Sequence, residues 1–351
     1  MTPMPQFPAL SNPGASGGVS FPDLCSDGDT NVTPHDAESR PTQDVRALKL
    51  AYLIPATPSD GFYAQVAMFR MGLDALGPPY SESLVILTLG ADEGTVVPPR
   101  WRQPLNRVEV NFVQRTPDAS FRGQVAGRWS MVPSDVDVVV LGNADTLTIA
   151  RYDELLEVVH THQLVAGAIV HAPLGFPDGM SHEAGWRMLA NRLLERDIEF
   201  DHQTALPNAL GGSTATPYYV NGGAVFIGGE LFKRLRPVYL RIEPTVAEMI
   251  ADPRFSHQAS LALAIRATDA PRIAMRMRYN FPNDPRADEL YPDDSADIRT
   301  LHFLRTTEFD RQKIFADADG FDRFLALRLG GSNAVLQRRV RELTEGRYPF
   351  E

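Results

Sequence analysis

Cysteine is nearly absent from this 351-residue chain, in which Cys25 is the only one. One cysteine excludes an intrachain disulfide and any metal site built from several thiolates. An excess of basic residues is lacking too, because 34 Lys and Arg stand against 44 Asp and Glu, for a net charge of −10. Nucleic acids and anionic membranes favour clustered positive charge, so we expect no nucleic-acid partner.

Long apolar runs and targeting sequences are also missing. No segment is apolar over a length that would cross a bilayer, so we expect no integral membrane segment. The first 20 residues are rich in Pro, Gly and Ser but lack the basic and apolar regions of a secretory signal. Together with the scarcity of cysteine, this favours a cytoplasmic protein.

The phosphate-binding loops of common nucleotide-binding folds do not occur. Neither G-x-x-x-x-G-K-[ST] nor G-x-G-x-x-G follows the first predicted strand, which argues against nucleoside triphosphatases and dinucleotide-binding enzymes. A nucleotidyltransferase normally carries a Gly-rich loop with Lys or Arg at this place, and residues 55–61 lack one. We keep that class only as an alternative. His160, His162 and His171 do not share one face, so they do not predict a zinc site.

The remaining sequence divides into three parts. Residues 1–45 carry many Pro, Gly, Ser, Thr and Asp and few large apolar groups, which predicts a disordered or loosely packed tail. Residues 46–310 predict one domain, and residues 311–351 predict a C-terminal helical extension. Three arginines give that extension a basic patch, from which we expect at most a weak peripheral membrane contact. They are Arg338, Arg339 and Arg341.

Apolar runs alternate with segments of helical periodicity through the central part. This alternation predicts parallel βαβ units, and hence an α/β fold with a Rossmann-type mixed, mostly parallel sheet and helices on both faces. The insertion at 171–217 interrupts the alternation and should frame a site. The predicted strands are 48–55, 84–89, 108–113, 136–143, 164–170, 218–227 and 301–304, and the predicted helices are 63–76, 152–162, 181–196 and 256–267.

Two polar side chains follow the β-branched run at 136–142. Asn143 and Asp145 are two residues apart, so on an extended backbone both would point the same way, at the strand end where open α/β sheets bind ligands. Their oxygens could face one cation or one phosphate-bearing ligand. A simple Asn/Asp turn is the alternative, since both residues favour turns.

Three later features carry chemistry only in combination. Asn221-Gly222-Gly223 interrupts an apolar strand, where the glycines allow close approach, although Asn-Gly is also a strong hairpin signal. His257-Gln258 opens a helix, which could simply be a capped amphipathic helix. His302 lies in a short apolar run, and a core histidine is the simpler interpretation.

In this order, the features resemble those of GT-A fold glycosyltransferases over residues 48–305. The likeness is nearest to the group of glycogenin and the bacterial galactosyltransferases (family 8). Against that pattern, Asn143 and Asp145 match D-x-D, Asn221-Gly222-Gly223 match N-x-G, His257-Gln258 match D-Q, Asn280-Phe281 match an Asn-Phe element and His302 matches a late metal-binding histidine.

The resemblance implies transfer of a hexose from a nucleotide-diphosphate sugar, with uridine as the expected nucleoside, to a hydroxyl of a glycan or small-molecule acceptor. It also implies Mn²⁺ or Mg²⁺ held by Asp145 and His302 with Asn143, to assist departure of the diphosphate. Arg128 would face the donor phosphates, or else form a surface salt bridge. The implied catalytic residues are Asp145, Gln258 and Asn221, and the implied donor contacts are Pro55, Ala56, Thr57, Tyr63, Arg128, Asn143, Ala144, Gly222, Gly223 and His257.

Two departures from the family pattern keep a second class open. Asn143 and His257 each stand where the pattern has a carboxylate. A non-catalytic protein that binds a sugar nucleotide or a glycan is therefore the alternative. For the acceptor we expect a wall formed by residues 171–217 and the C-terminal helices. Its candidate contacts are His171, Asp178, His182, Trp186 and Asp201.

Overall fold

The computed structural model describes residues 24–25, 44–114, 125, 127–207 and 211–350. The strands are β1 (Leu50–Ala56), β2 (Leu84–Ala91), β3 (Glu109–Gln114), β4 (Val138–Gly142), β5 (Thr146–Thr148), β6 (Val165–Ile169), β7 (His202–Gln203), β8 (Ala215–Thr216), β9 (Val220–Gly228), β10 (Arg272–Ala274), β11 (Phe281–Pro282) and β12 (Thr300–His302). The helices are α1 (Asp60–Asp74), α2 (Pro99–Arg102), α3 (Asp153–His162), α4 (His182–Leu194), α5 (Gly229–Met249), α6 (Ser256–Ala267), α7 (Pro285–Leu290), α8 (Pro292–Ala296), α9 (Ala318–Ala326) and α10 (Gly331–Thr344).

Seven strands form the central sheet in the order β10–β6–β9–β4–β1–β2–β3. All neighbouring pairs are parallel except those of β9, which runs antiparallel to both β4 and β6. Alternate residues of β1 enter two different cores. Tyr52 and Ile54 pack on the face covered by α1, α3, α9 and α10, whereas Ala51 and Leu53 pack on the face covered by α4, α5 and α6. The predicted fold class is therefore confirmed.

A small sheet, β11–β12–β5, extends the carboxyl edge of β4. Strand β12 runs antiparallel to β5, with His302 opposite Thr146 and Leu301 opposite Leu147. Both leucines are fully buried in the core. Since β5 begins four residues after β4 ends, this pairing carries the late part of the chain to the end of the central sheet.

The predicted elements lie close to their observed bounds, whereas several short elements were not predicted, namely α2, α7 and α8 and strands β5, β7, β8 and β11. Helix α1 begins at Asp60 rather than Tyr63, because the Ser59 hydroxyl caps it by accepting a hydrogen bond from the backbone N–H of Phe62 (3.3 Å). Helix α5 was not predicted, and it contains Pro237 and Pro244. Within the described residues no helix has both the length and the apolarity required to cross a membrane.

Part of the predicted N-terminal tail packs against the domain. Leu24 and Cys25 are only 1% and 5% exposed, and Cys25 forms an isolated antiparallel bridge with Met275. The carbonyl of Leu24 accepts a hydrogen bond from the backbone N–H of Arg276 (2.9 Å). The rest of the predicted tail up to residue 43 lies outside the described residues.

The C-terminal helices share the core of the domain. Phe321 and Phe324 of α9 and Leu336 and Val340 of α10 belong to the same buried cluster as Tyr52. In the predicted basic patch, Arg339 pairs with Glu342 (3.5 Å) and Arg341 donates to the Leu325 carbonyl (3.0 Å), while Arg338 is exposed. A membrane contact of this patch stays a prediction.

We expect Leu24→Ala to lower the free energy of unfolding by about 2–4 kcal/mol, because it removes a fully buried side chain. Urea denaturation of the full chain measures this change. The matched control is Leu290→Ala, where the leucine is 49% exposed, and its effect should stay within about 0.5 kcal/mol. Equal effects of the two variants would show that the Leu24 segment is not docked in solution.

Candidate functional site

The candidate site lies at the topological switch point between β1 and β4, where the sheet order proceeds in opposite directions. Arg128 lies beneath this point and is 1% exposed. Its Nη1 donates to the carbonyl of Leu53 (3.2 Å), midway along β1, and to that of Gly142 (3.0 Å), at the carboxyl end of β4. Burial lowers the pKa of Arg128 to about 10, so the guanidinium stays charged at neutral pH. Arg128 is thus in the floor of the site, not in a surface salt bridge.

Asp145 and His302 meet at this edge of the sheet, and we call them the acid–histidine pair. Their side chains are nearly buried, and His302 Nε2 is 3.2 Å from Asp145 Oδ1. The backbone N–H of Phe303 donates to the Asp145 carbonyl (2.9 Å), which fixes the two strands in register. Burial alone would raise the pKa of Asp145, but His302 and Arg311 outweigh it and hold the pKa below its usual value. The carboxylate is therefore ionised.

Arg311 is a site residue that the sequence did not predict. Its Nη1 contacts the other carboxylate oxygen of Asp145, Oδ2. Arg311 belongs to the segment between β12 and α9 (residues 303–317), which has no regular secondary structure in most of its length. No motif marks it, because its position depends on contacts with distant parts of the chain.

The residues between β4 and β5 form a turn that also carries the site. The Thr146 hydroxyl donates to the Asn143 carbonyl (2.7 Å), and Ala144 is 2% exposed. The Asn143 side chain is half-buried at the strand end. The predicted turn is therefore present, and it directs Asp145 toward His302.

Asn221-Gly222-Gly223 lies inside the continuous strand β9 and does not form a hairpin. Asn221 Oδ1 accepts from the backbone N–H of Gly223 (2.9 Å) and from Nδ2 of Asn280 (3.1 Å). A Cβ at position 223 would overlap His302 Nδ1 and lie 2.5 Å from Asn280 Oδ1. Glycine at 223 therefore permits the close approach of β9 to the acid–histidine pair.

His257 and Gln258, in the first turn of α6, face Gly222. A Cβ at position 222 would be 2.8 Å from His257 Nε2 and 3.6 Å from Gln258 Cγ. His257 Nδ1 is 2.8 Å from the carbonyl of Arg254, which can only accept, so Nδ1 donates and Nε2 is an acceptor. Burial, and next the charge of Arg128, lower the pKa of His257 to about 3. A neutral acceptor thus stands where the family pattern has a carboxylate.

The predicted nucleotide-contacting loop is only partly accessible. Pro55 and Ala56 end β1 and are buried, and Thr57 is half-buried beyond them. Tyr63 is 2% exposed, and its ring lies 6.2 Å from that of Trp101 in the core. This corrects the prediction for Tyr63, because its ring face is not available to a stacked base.

The predicted acceptor residues separate into different places. Burial, and next the charge of His302, lower the pKa of His171 to about 3. Trp186 is fully buried against Tyr219, so it is a core residue and not an acceptor contact. Asp201 pairs with Arg272 (3.1 Å), and His182 Nδ1 is 3.1 Å from the Leu174 carbonyl. The Asp178 side chain lies outside the described part of the structure.

The donor set around Asp145 does not fit a divalent cation as it is arranged. Both carboxylate oxygens are engaged, one by His302 and the other by Arg311. Asn143 carries no charge, and His302 Nδ1 faces the backbone of Gly223. Within the described ranges, three or more His, Cys, Asp or Glu side chains nowhere converge to hold an ion. The predicted Mn²⁺ or Mg²⁺ therefore stays a prediction.

No protein-family model and no curated protein matches this chain. Among solved structures, it is similar to the bifunctional glycosyltransferase WbbM, at 12% identity and a TM-score of 0.46, over 76% of this chain and 47% of that one. Mouse xyloside xylosyltransferase 1 matches at 10% identity and a TM-score of 0.44, over 75% of this chain and 99% of that one. Galactosyltransferase LgtC, in complex with donor and acceptor sugar analogues, matches at 13% identity and a TM-score of 0.45, over 85% of this chain and 96% of that one. The chain thus spans about half the length of WbbM, and values this low assign no function.

We expect Gly223→Ala to destabilise the protein by about 1–3 kcal/mol, because the added methyl group overlaps His302 and crowds Asn280. Gly142→Ala is the matched control on the neighbouring strand, since the closest atom to its Cβ would be 3.8 Å away. Urea denaturation of both variants measures the difference. If Gly223→Ala leaves the free energy of unfolding unchanged, β9 and β12 are farther apart in solution.

We expect stability to fall with pH below about 6.5, the unfolded-state pKa of histidine. The pKa of His257 is lowered to about 3 in the folded protein, so below about 6.5 the unfolded chain binds the additional proton. Between about pH 7 and about pH 5 this costs roughly 1–2 kcal/mol. Urea denaturation at both values should show a smaller fall in His257→Gln, and an identical fall would exclude His257 as the cause.

Proposed function

We propose that this protein is a glycosyltransferase that moves a hexose from a nucleotide-diphosphate sugar, with uridine as the expected nucleoside, to a hydroxyl of a glycan or small-molecule acceptor. One observation carries the proposal: motifs far apart in sequence converge at the carboxyl edge of the sheet, at its switch point. Asp145, Asn221, Asn280 and His302 meet around Gly223, and His257 and Gln258 face the neighbouring Gly222. Open α/β sheets bind their ligands in this crevice.

The chemical character of this set supports a sugar ligand. The amides of Asn221 and Gln258 can each donate and accept, as hydroxyl groups require, and His257 offers a neutral acceptor. Asn280 is fully buried and donates to Asn221 Oδ1. Gly222 and Gly223 let the side chains of His257, Asn280 and His302 pack directly against the backbone of β9. A charged partner is also present, because Arg128 places a fixed positive charge under the crevice. The site therefore combines groups for hydroxyls with a charge that favours an anion.

We assign the roles by position. Asn221 and Gln258 would contact the sugar, with Gly222, Gly223 and His257 beside it. The acid–histidine pair, Asn143 and Ala144 would lie at the diphosphate end, above Arg128. Thr57 would border the nucleoside, with the buried Pro55 and Ala56 behind it in β1, and His171 would lie on the acceptor side. The predicted metal and cytoplasmic location stay predictions of the sequence, and no step of this proposal requires them.

A second function has its own supporting observation. His257 and Asn143 supply no carboxylate, and both oxygens of Asp145 are engaged. A protein that binds a sugar nucleotide or a glycan without turnover would have such a site. A nucleotidyltransferase has less support, since the turn after β1 lacks a basic Gly-rich loop.

The test is incubation of the full chain with UDP-, GDP- and dTDP-hexoses, with Mn²⁺ or with EDTA, while release of the nucleoside diphosphate is followed. We expect release from at least one UDP-hexose, and Gln258→Ala should lower kcat by about 100-fold, because it removes a group that contacts the sugar. Glu183→Gln, on the exposed surface of α4, is the control and should keep full activity. Calorimetry on the same donors separates the alternatives: binding without release supports the binding protein, and no binding contradicts both.

A further inference from the structure

Arg311 is held at the site by contacts of its own segment. Its backbone carbonyl accepts a hydrogen bond from Gln65 Nε2 (2.8 Å) on α1. The next residue, Gln312, lies directly against Gly61, where a Cβ would overlap its carbonyl. Downstream, Ile314 and Phe315 are buried in the core. Arg311 is therefore positioned by a docked segment, as a residue of a preformed site would be.

The guanidinium has further capacity for a ligand. Among the described residues, the Arg311 side chain forms its ion pair with Asp145, and it is 31% exposed. A guanidinium carries five N–H donors in a planar fork, and one of them is used here. The others can bind phosphate oxygens, for which this fork is suited. Arg311 can therefore bind an anionic ligand without leaving Asp145.

The position of Arg311 coincides with that of the expected cation. The resemblance puts a divalent ion on Asp145, and the structure puts a guanidinium on Asp145 Oδ2 instead. A dication at that oxygen would face a positive charge in direct contact with its only carboxylate ligand. The two cations therefore compete for one carboxylate.

We propose that Arg311 supplies the positive charge that stabilises the departing diphosphate, so that turnover requires no divalent cation. This inference rests on the proposed function. In the reaction the bond between the anomeric carbon and the diphosphate oxygen breaks, and its electron pair goes to that oxygen beside Arg311. The acceptor oxygen forms the new bond to the anomeric carbon, and its proton goes to the departing diphosphate. Asp145 orients the guanidinium, and Arg128 adds charge from below.

The test compares turnover of a UDP-hexose by the full chain in EDTA and in Mn²⁺. We expect equal rates for the wild type. Arg311→Met should lower kcat by about 100-fold or more, and Arg311→Lys, which keeps the charge, should lose less. Arg107→Met is the matched control, because it removes an arginine–aspartate pair at the other end of α1. Loss of wild-type turnover in EDTA with recovery in Mn²⁺ would overturn the proposal.

Binding of UDP, followed by calorimetry, keeps the two proposals separate. For the wild type we expect the same Kd for UDP with and without Mn²⁺. In Arg311→Met we expect the Kd to rise about tenfold. If these binding results are obtained but no donor is turned over, the transferase function is contradicted, whereas the role of Arg311 in binding the diphosphate is supported. If the wild type turns over a donor, and Arg311→Met has the same UDP affinity and the same kcat, only the proposed role of Arg311 is contradicted. Thermal melting of each variant excludes loss of fold as the cause.

Discussion

The buried guanidinium of Arg128 is the constraint on which the site depends. Placing a charge inside a protein costs several kcal/mol after relaxation, and this arginine nevertheless keeps its charge at neutral pH. Its hydrogen bonds to Leu53 and Gly142 offset part of that cost by satisfying one carbonyl midway along β1 and one at the end of β4. Because Arg128 joins the two strands, the turn that follows β4 projects from a fixed base.

The small sheet supplies the second constraint. Strands β5 and β12 have three residues each, too few to be stable alone, so their pairing depends on the burial of Leu147 and Leu301. That burial is what brings His302 to Asp145 across a long separation in sequence. The geometry of the acid–histidine pair is therefore a consequence of core packing, and a change in the core would reach the site without touching it.

The predictability of each feature follows from where its determinants lie. The central strands were predictable because both of their faces are buried, which leaves continuous apolar runs in the sequence. Helix α5 was not, because Pro237 and Pro244 are local signals against a helix that packing overrides. Tyr63 and Trp186 are buried core residues, and the sequence does not separate an aromatic core residue from one that contacts a ligand. Arg311 depends on α1 for its position, which no local pattern records.

The uncharged side chains of Asn143 and His257 gain a physical interpretation from Arg311. At the ligand edge the carboxylate of Asp145 is matched by one guanidinium, and the imidazoles of His257 and His171 are neutral because their pKa values lie near 3. The charges of Arg311 and Arg128 together exceed that of Asp145, whereas two further carboxylates at positions 143 and 257 would reverse this balance. A crevice with this balance favours an anionic ligand such as a diphosphate, and the uncharged side chains of Asn143 and His257 are compatible with the proposal that Arg311 provides the cation.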